Sequence, residues 1–304
     1  MKKSSVIHVA SPDDDLPATA AAINPAEAAP RPKLGQLLLE AGKLRAIDIE
    51  RVLQLQVVSR LAFGEAAVQL QLVAPEDVEH MLARQFGCPQ LLPGEGGYAS
   101  ELVSAYAPLG PQAEALTRFA TCLTQRWFAG GRRELALCGI EPGSGASLLA
   151  ANLAVIFARR GARTLLVDAD LRAPCQHRIF NLAQRRGLAD AIGLRGDDDI
   201  ACELPELPGL SVIAAGNRPP NPQQLLARPA FGQLMEDCVR RFDVVLYDTP
   251  AFTSAADIFA VAARAGGVVL VARRDATPAA ELRRAADYLG RANASVVAAM
   301  LNRF

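Results

Sequence analysis

The chain has 304 residues, enough for two domains, one of them with a full α/β core. Its 32 basic and 32 acidic residues cancel, so no whole-chain charge draws it to nucleic acid or to an anionic membrane surface. Six scattered cysteines (Cys88, Cys122, Cys138, Cys175, Cys202, Cys238) with no CxxC pair, and no signal-peptide-like start, indicate reduced thiols in a cytoplasmic protein; no apolar run reaches the roughly 18 to 20 residues of a bilayer span.

Residues 1–32 mix Pro, Ala and three consecutive aspartates with little periodicity and read as a disordered arm. From Lys33 the pattern turns helical, and a shift of 29 residues lays LGQLLLEAGKLRAIDIERVLQLQ, from Leu34, over FGEAAVQLQLVAPEDVEHMLARQ, from Phe63. Gly35 falls on Gly64, Asp48 on Asp77, Glu50 on Glu79, Leu53 on Leu82 and Gln56 on Gln85. Such a duplication predicts two copies of one helix–turn–helix unit packed on each other, the second helices opening near Ile47 and Glu76, in a small all-helical domain over 33–92. Residues 93–111 carry turn signals and read as a linker wrapping onto a second domain, 112–304.

That second domain opens with a helix over 112–128, followed by the strand Glu134 to Cys138. Strands at 164–167, 210–213, 244–247, 267–271 and 295–301 then alternate with helices near Arg178 and over 222–239, 255–264 and 278–291. Near-continuous Val, Leu and Ile strands between helices predict an α/β fold with a doubly wound, mostly parallel sheet, of the P-loop NTPase kind. Ligands of such sheets sit at the carboxyl ends of the strands.

The chemistry lies at those ends. Leu135 to Ala154, LALCGIEPGSGASLLAANLA, runs from an apolar strand through a Gly-rich turn into a helix beginning near Ser147, the layout of a phosphate-binding loop. Against the pattern G-x-x-x-x-G-K-[ST], Ile140 replaces the first Gly and Ala146 the Lys, so the loop has a carboxylate, Glu141, and no cation. TLLVDAD puts Asp168 and Asp170 after one strand and FDVVLYDTP puts Asp248 after another. In phosphoryl transfer, acids placed there hold magnesium and orient the nucleophile, and Ser147 offers a hydroxyl to the same ion. Taken singly, each aspartate equally reads as a helix cap or turn residue. His8, His80 and His177 have no metal-like spacing.

The loop PGSGAS followed by AANLA, then LLVDADLRAP, GNRPPNPQQLL, FDVVLYDTP and VAAMLN resemble, in order, the bacterial tyrosine kinases of polysaccharide export, a branch of the MinD/ParA-type P-loop ATPases. With the helical duplication in front, the chain resembles the chain-length-determinant tyrosine kinases of exopolysaccharide operons. The resemblance implies that Gly143, Ser144, Gly145, Ala146 and Ser147 form the phosphate loop for ATP or ADP, and that Arg172 is a phosphate contact. Asn302 would lie near adenine, Asp168, Asp170 and Asp248 would be catalytic, and Ser147, Asp168 and Asp248 would surround Mg2+. It further implies a transmembrane polysaccharide co-polymerase as partner, homo-oligomeric rings, and a place in the cytoplasm at the inner membrane. The duplication itself resembles the N-terminal domain of type II secretion and pilus ATPases, some of which bind cyclic di-GMP through Arg-Leu-Gly motifs; here the Arg positions are Lys33 and Ala62.

Three departures temper the implied kinase. The loop Lys is Ala146; the ring helix, Glu-x-x-Arg-x-x-Arg in the family, has Thr117 and Ala120 after Glu114; and the tyrosines are Tyr98, Tyr106, Tyr247 and Tyr288, with no C-terminal cluster. The reading is therefore a regulator of exopolysaccharide polymerisation, chain length and export with weak or lost kinase activity. Two alternatives stand beside it: an active kinase using a substitute arginine, and a cyclic di-GMP-responsive docking adaptor.

Overall fold

The computed structural model describes residues 33–85, 90–183, 186–194 and 200–303. The expected disordered arm and Cys88 lie outside the described residues. Two compact units divide between Leu91 and Leu92.

The smaller unit holds α1 (Leu34–Glu40), α2 (Ala46–Ser59), α3 (Phe63–Gln69) and α4 (Pro75–Gln85). The 29-residue repeat therefore maps α1 onto α3 and α2 onto α4, and α1 packs on α4 while α2 packs on α3. Leu34, Leu37, Leu38, Leu44, Val52, Ala66, Ala67, Val73, Val78 and Met81 form its core. The repeated glycines are packing positions: a Cβ on Gly35 would press on the Phe63 ring and one on Gly64 on the Val78 side chain. Asp48 is buried between Arg45 (2.8 Å) and Arg51 (3.3 Å), whose charges hold its carboxyl below the usual range, and its repeat mate Asp77 pairs with Lys43 at 3.1 Å. On α2, Ile47, Val57 and Val58 remain exposed.

The larger unit opens with α5 (Val103–Tyr106) and α6 (Pro111–Arg126), and then alternates strand and helix. In chain order follow β1 (Glu134–Gly139), α7 (Ala146–Arg159), β2 (Thr164–Asp168), α8 (Gln176–Ile179), α9 (Leu188–Leu194), β3 (Cys202–Glu203) and β4 (Leu210–Ile213). After them come α10 (Pro222–Leu226), α11 (Pro229–Arg241), β5 (Val244–Thr249), α12 (Asp257–Ala265), β6 (Gly267–Arg273), α13 (Ala279–Arg291) and β7 (Ser295–Asn302). Seven strands form one sheet in the order β3-β4-β2-β5-β1-β6-β7, parallel except for the antiparallel β3–β4 pair. The central strands β1, β2, β4 and β5 are buried nearly throughout, as helices on both faces require.

Two details of the sequence expectation change. The single helix over 222–239 is two, because Pro229 pushes Arg228 into extended backbone (φ −71°, ψ 145°) and restarts the helix at its own fixed φ. The edge strand β3 and helix α9 are additional elements. Residues 92–111 belong to the larger unit and are fastened to α7. Asn152 accepts from the Ser104 N–H (2.9 Å) and donates to Glu101 O (3.3 Å), while Arg159 donates to Ser104 O (2.6 Å) and Ala105 O (3.2 Å).

The sole tryptophan of the chain, Trp127, lies over the start of β6, donates to Glu134 O (2.7 Å) and carries the Arg132 guanidinium 4.3 Å from its ring. Gly267 leaves the room for it, since a Cβ there would collide with the indole. Gly267→Val is expected to cost about 1–3 kcal/mol by overpacking, measured by urea unfolding; tryptophan emission should report the displaced indole. An unchanged midpoint would mean that the indole has somewhere else to go.

Candidate functional site: a nucleotide pocket without its lysine

β1 ends at Gly139, and the chain turns through Ile140–Gly145 before α7 begins at Ala146. Gly143 (φ 77°) and Gly145 (φ 88°) are left-handed, a conformation side chains rarely adopt. A Cβ on Gly139 would collide with Ser144 Oγ. Ile140, at the position of the missing first Gly, is fully buried in the sheet core and donates its N–H to Val271 O at 2.8 Å. The unpartnered N–H groups of α7's first turn face the open end of this loop, the standard seat of a phosphate.

Two cavities meet here. One, of about 290 Å3, is lined by Glu141, the Gly143–Ser147 loop, Asp170 and Arg172, and is closed by Thr249–Ala251 and Ser254. The segment after β5 is strapped to the loop: Phe252 N–H donates to Gly139 O (2.8 Å), and Thr253 donates to Ile140 O through N–H (3.1 Å) and Oγ1 (3.0 Å). The other cavity, of about 410 Å3, shares Gly145 with the first and is mostly apolar, between Val103, Ala115, Leu116, Leu148, Leu149 and Met300. Asn302 borders it and donates to Ser144 O at 3.2 Å, bracing the phosphate loop from the end of β7.

The parallel register of β2 and β5 sets Asp168 beside Asp248, both fully buried. Asp168 Oδ2 accepts the N–H groups of Cys175 (3.0 Å) and Gln176 (2.9 Å). Asp248 Oδ2 accepts Gln176 Nε2 at 2.8 Å, and the same amide nitrogen donates to Ser147 O at 3.0 Å. The second oxygen of each carboxylate, Oδ1, is buried without a partner. Burial and the adjacent Asp248 push Asp168 well above the usual carboxylate range. Burial pushes Asp248 up to about 7, against the hydrogen bonds of Gln176 and Ser147. Burial, reinforced by Asp248, also pushes the Cys175 thiol up to about 12, so it stays protonated. Asp170 accepts the N–H groups of Arg172 (3.1 Å) and Ala173 (2.9 Å) and lines the phosphate-side cavity.

These residues fit a magnesium ion. Two orphaned, buried carboxylate oxygens near the Ser147 hydroxyl, which itself lines the phosphate-side cavity, are hard oxygen donors. Among the described residues no group of three His, Cys, Asp or Glu side chains is placed to hold a metal alone, so phosphate oxygens and water would complete the shell. The position of the loop lysine is Ala146, whose side chain is almost fully buried. Arg172 is the one cationic side chain lining the phosphate-side cavity among the described residues, and it is bound bidentately to the fully buried Asp257 (2.6 and 2.9 Å).

The structure thus gathers Gly143, Ser144, Gly145, Ala146, Ser147, Asp168, Asp170, Asp248 and Arg172 around one loop, with Asn302 behind it. Sequence reasoning missed Gln176, which joins both acids to the loop, and Asp257, which holds Arg172. Gln176 is uncharged and belongs to no pattern; Asp257 was visible only as an acid opening an apolar helix. Among the described residues no helix is long and apolar enough to cross a membrane.

Residues 133–298 match the family described as cellulose biosynthesis protein BcsQ. A putative tyrosine-protein kinase EpsB of Ralstonia solanacearum is 35% identical over 201 residues, covering 66% of this chain and 27% of the relative. The putative tyrosine-protein kinase CapB of Staphylococcus aureus is 31% identical over 171 residues, 56% of this chain and 75% of CapB. Among solved structures, the kinase domain of the Escherichia coli tyrosine kinase ETK superposes with a TM-score of 0.64 at 28% identity, covering 66% of this chain and 79% of that domain. The chain therefore spans about a quarter of the length of EpsB and most of the length of the shorter relatives. The chain belongs to the bacterial tyrosine-protein kinases, a branch of the P-loop ATPases, and its residues 133–298 to the BcsQ family.

Proposed function

We propose that the protein regulates exopolysaccharide polymerisation, chain length and export as a nucleotide-site protein with weak or lost tyrosine-kinase activity. One observation carries the reading: the phosphate loop keeps its left-handed glycines and Ser147 and has Asp170 across the same cavity, while Ala146 stands where the transferring phosphates need a cation. In this reading the phosphates of ATP or ADP lie on Gly143–Ser147, the base occupies the apolar cavity near Asn302, and Asp168, Asp248 and Ser147 surround Mg2+. When bound, the ion would neutralise phosphate charge; Asp248 and Asp168 would position it and its water, and Asp170 would face the reacting phosphate. The protein would act at the cytoplasmic face of the inner membrane through a transmembrane co-polymerase. The exposed apolar positions of α2 favour a docking role for the helical unit, and packing already accounts for the repeated glycines of Leu34-Gly35 and Phe63-Gly64 without cyclic di-GMP.

The alternative is an active kinase using a substitute arginine, from Arg172, Arg218 or a partner; if it is Arg172, that guanidinium must leave Asp257 and strand a buried carboxylate, which typically costs several kcal/mol. Nucleotide titration of wild type beside Ala146→Lys decides between them. A positioned cation of this type contributes ~2.7–4 kcal/mol to the transition state, so Ala146→Lys should raise ATP turnover by roughly 100-fold or more. Wild type that turns over ATP and phosphorylates tyrosine as fast as the variant would establish the active kinase.

The acid pair gives the second test. Asp168 and Asp248 have folded-state pKa values above those of an unfolded aspartate, near 3.9. The folded state therefore binds more protons than the unfolded one, and stability falls as pH rises from about 4 to about 7. Asp248→Asn removes the charge that must be buried, so in the metal-free protein it should raise Tm by several degrees at pH 8 and change it little at pH 5. Equal shifts at both pH values would assign the effect to something other than ionisation.

A further inference from the structure

Helix α2 of the smaller unit leaves Ile47 (74%), Leu53 (48%), Val57 (83%) and Val58 (82%) exposed. Its inner face is already satisfied: Asp48 and Val52 are buried, and Ile49 and Leu55 pack on the core. The outer face of such a helix normally turns polar residues to water. Here it carries a heptad seam instead. Ala46, Glu50, Leu53, Val57 and Arg60 follow one another at spacings of 4, 3, 4 and 3, and all five are exposed. Leu53 and Val57 form its apolar middle, with an anion before them and a cation after. Among the described residues neither the Glu50 nor the Arg60 side chain has an ion-pair partner, whereas the nearby Arg45 and Arg51 are both taken by Asp48.

We propose that this seam binds a second copy of the chain, α2 against α2, antiparallel about a two-fold axis at the level of Leu55. That axis sets Leu53 against Val57 of the partner subunit and Val57 against the partner subunit's Leu53. Glu50 then meets the partner's Arg60 at one end of the seam, and Arg60 meets the partner's Glu50 at the other. The face is therefore complementary to itself in apolar contact and in charge, as a two-fold interface requires. A parallel pairing would oppose Glu50 to the partner's Glu50 and Arg60 to the partner's Arg60, so like-charge repulsion selects the antiparallel one. Ile47 and Val58 lie together on one flank of the seam and extend its apolar surface.

The inference rests on the docking role proposed for the helical unit and names its occupant. It makes no use of α6, where the resemblance places ring contacts and where Thr117 and Ala120 stand in place of arginines. A 14-residue helix on each side gives a small interface, so the dimer is a weak one that forms at micromolar concentration.

The test is sedimentation equilibrium of the full chain across micromolar concentrations, in reducing buffer without nucleotide. Wild type is expected to pass from monomer to dimer as concentration rises. Val57→Glu, which sets a charge against the apolar middle of the seam, should stay monomeric. Glu50→Arg and Arg60→Glu should each weaken the dimer by roughly ten-fold or more, and Glu50→Arg/Arg60→Glu should restore it, because the exchanged charges again face their opposites. These positions are exposed, so far-UV circular dichroism of every variant should match wild type. A wild type that stays monomeric overturns the proposal, and so does a dimer that Val57→Glu leaves intact or that the double exchange fails to restore. A monomer whose Tm falls on Val57→Glu would give the seam to another part of this chain and overturns it too. The nucleotide reading is tested at Ala146, outside this unit, so its failure and the failure of the dimer are told apart.

Discussion

The register of β2 against β5 is the constraint on which the site depends. It sets Asp168 beside Asp248 at the carboxyl ends of two central strands, both fully buried. Two carboxylates cannot stay ionised there without compensation. One oxygen of each is satisfied locally, Asp168 by the amides opening α8 and Asp248 by Gln176, and the other oxygen of each has no partner. The free protein meets the cost by retaining protons. A magnesium ion on the same oxygens would meet it without them, which makes cation binding and proton release one process.

Against that built seat, Ala146 is a single missing charge. The N-terminal end of α7 still offers oriented N–H groups worth roughly 0.3–1 kcal/mol for a nearby anion, up to about 2 in a partly buried setting. That falls short of the ~2.7–4 kcal/mol that one preorganised electrostatic donor supplies to a transition state. Glu141 at the rim opposes phosphate further, and Arg172, the cation that lines this cavity among the described residues, already neutralises Asp257. On the proposed reading, binding and catalysis are therefore affected unequally. Amides that grip ground-state phosphates remain, while the group that would follow charge as it develops is absent.

The sheet and its acids were legible because both follow from local chemistry. Buried parallel strands read as apolar runs, and Asp168, Asp170 and Asp248 terminate them. What escaped the sequence was decided by long-range packing. Gln176 joins the acids only because α8 docks beside β2 and β5, and nothing in its neighbours marks it. Asp257 pairs with Arg172 across 85 positions of chain. The segment 93–111 reads as a linker from its Pro and Gly content; its attachment depends on Asn152 and Arg159, two polar residues on a mostly apolar α7. The break at Pro229 was readable, since proline restricts the residue before it, and the helical pattern on both sides concealed it.

Those same attachments hold the loop in shape with no cation at residue 146. α7 is fastened at mid-length by Asn152 and near its end by Arg159, the phosphate loop is braced from behind by Asn302, and the strap from β5 holds Gly139 and Ile140 from the side. Not one of these contacts passes through residue 146. On the proposed reading a lysine at that position would serve the ligand, and alanine in its place would remove chemistry while these contacts still hold the loop. The fold thus holds the outline of the loop by contacts that do not involve residue 146, which is what the proposed regulatory reading requires of it.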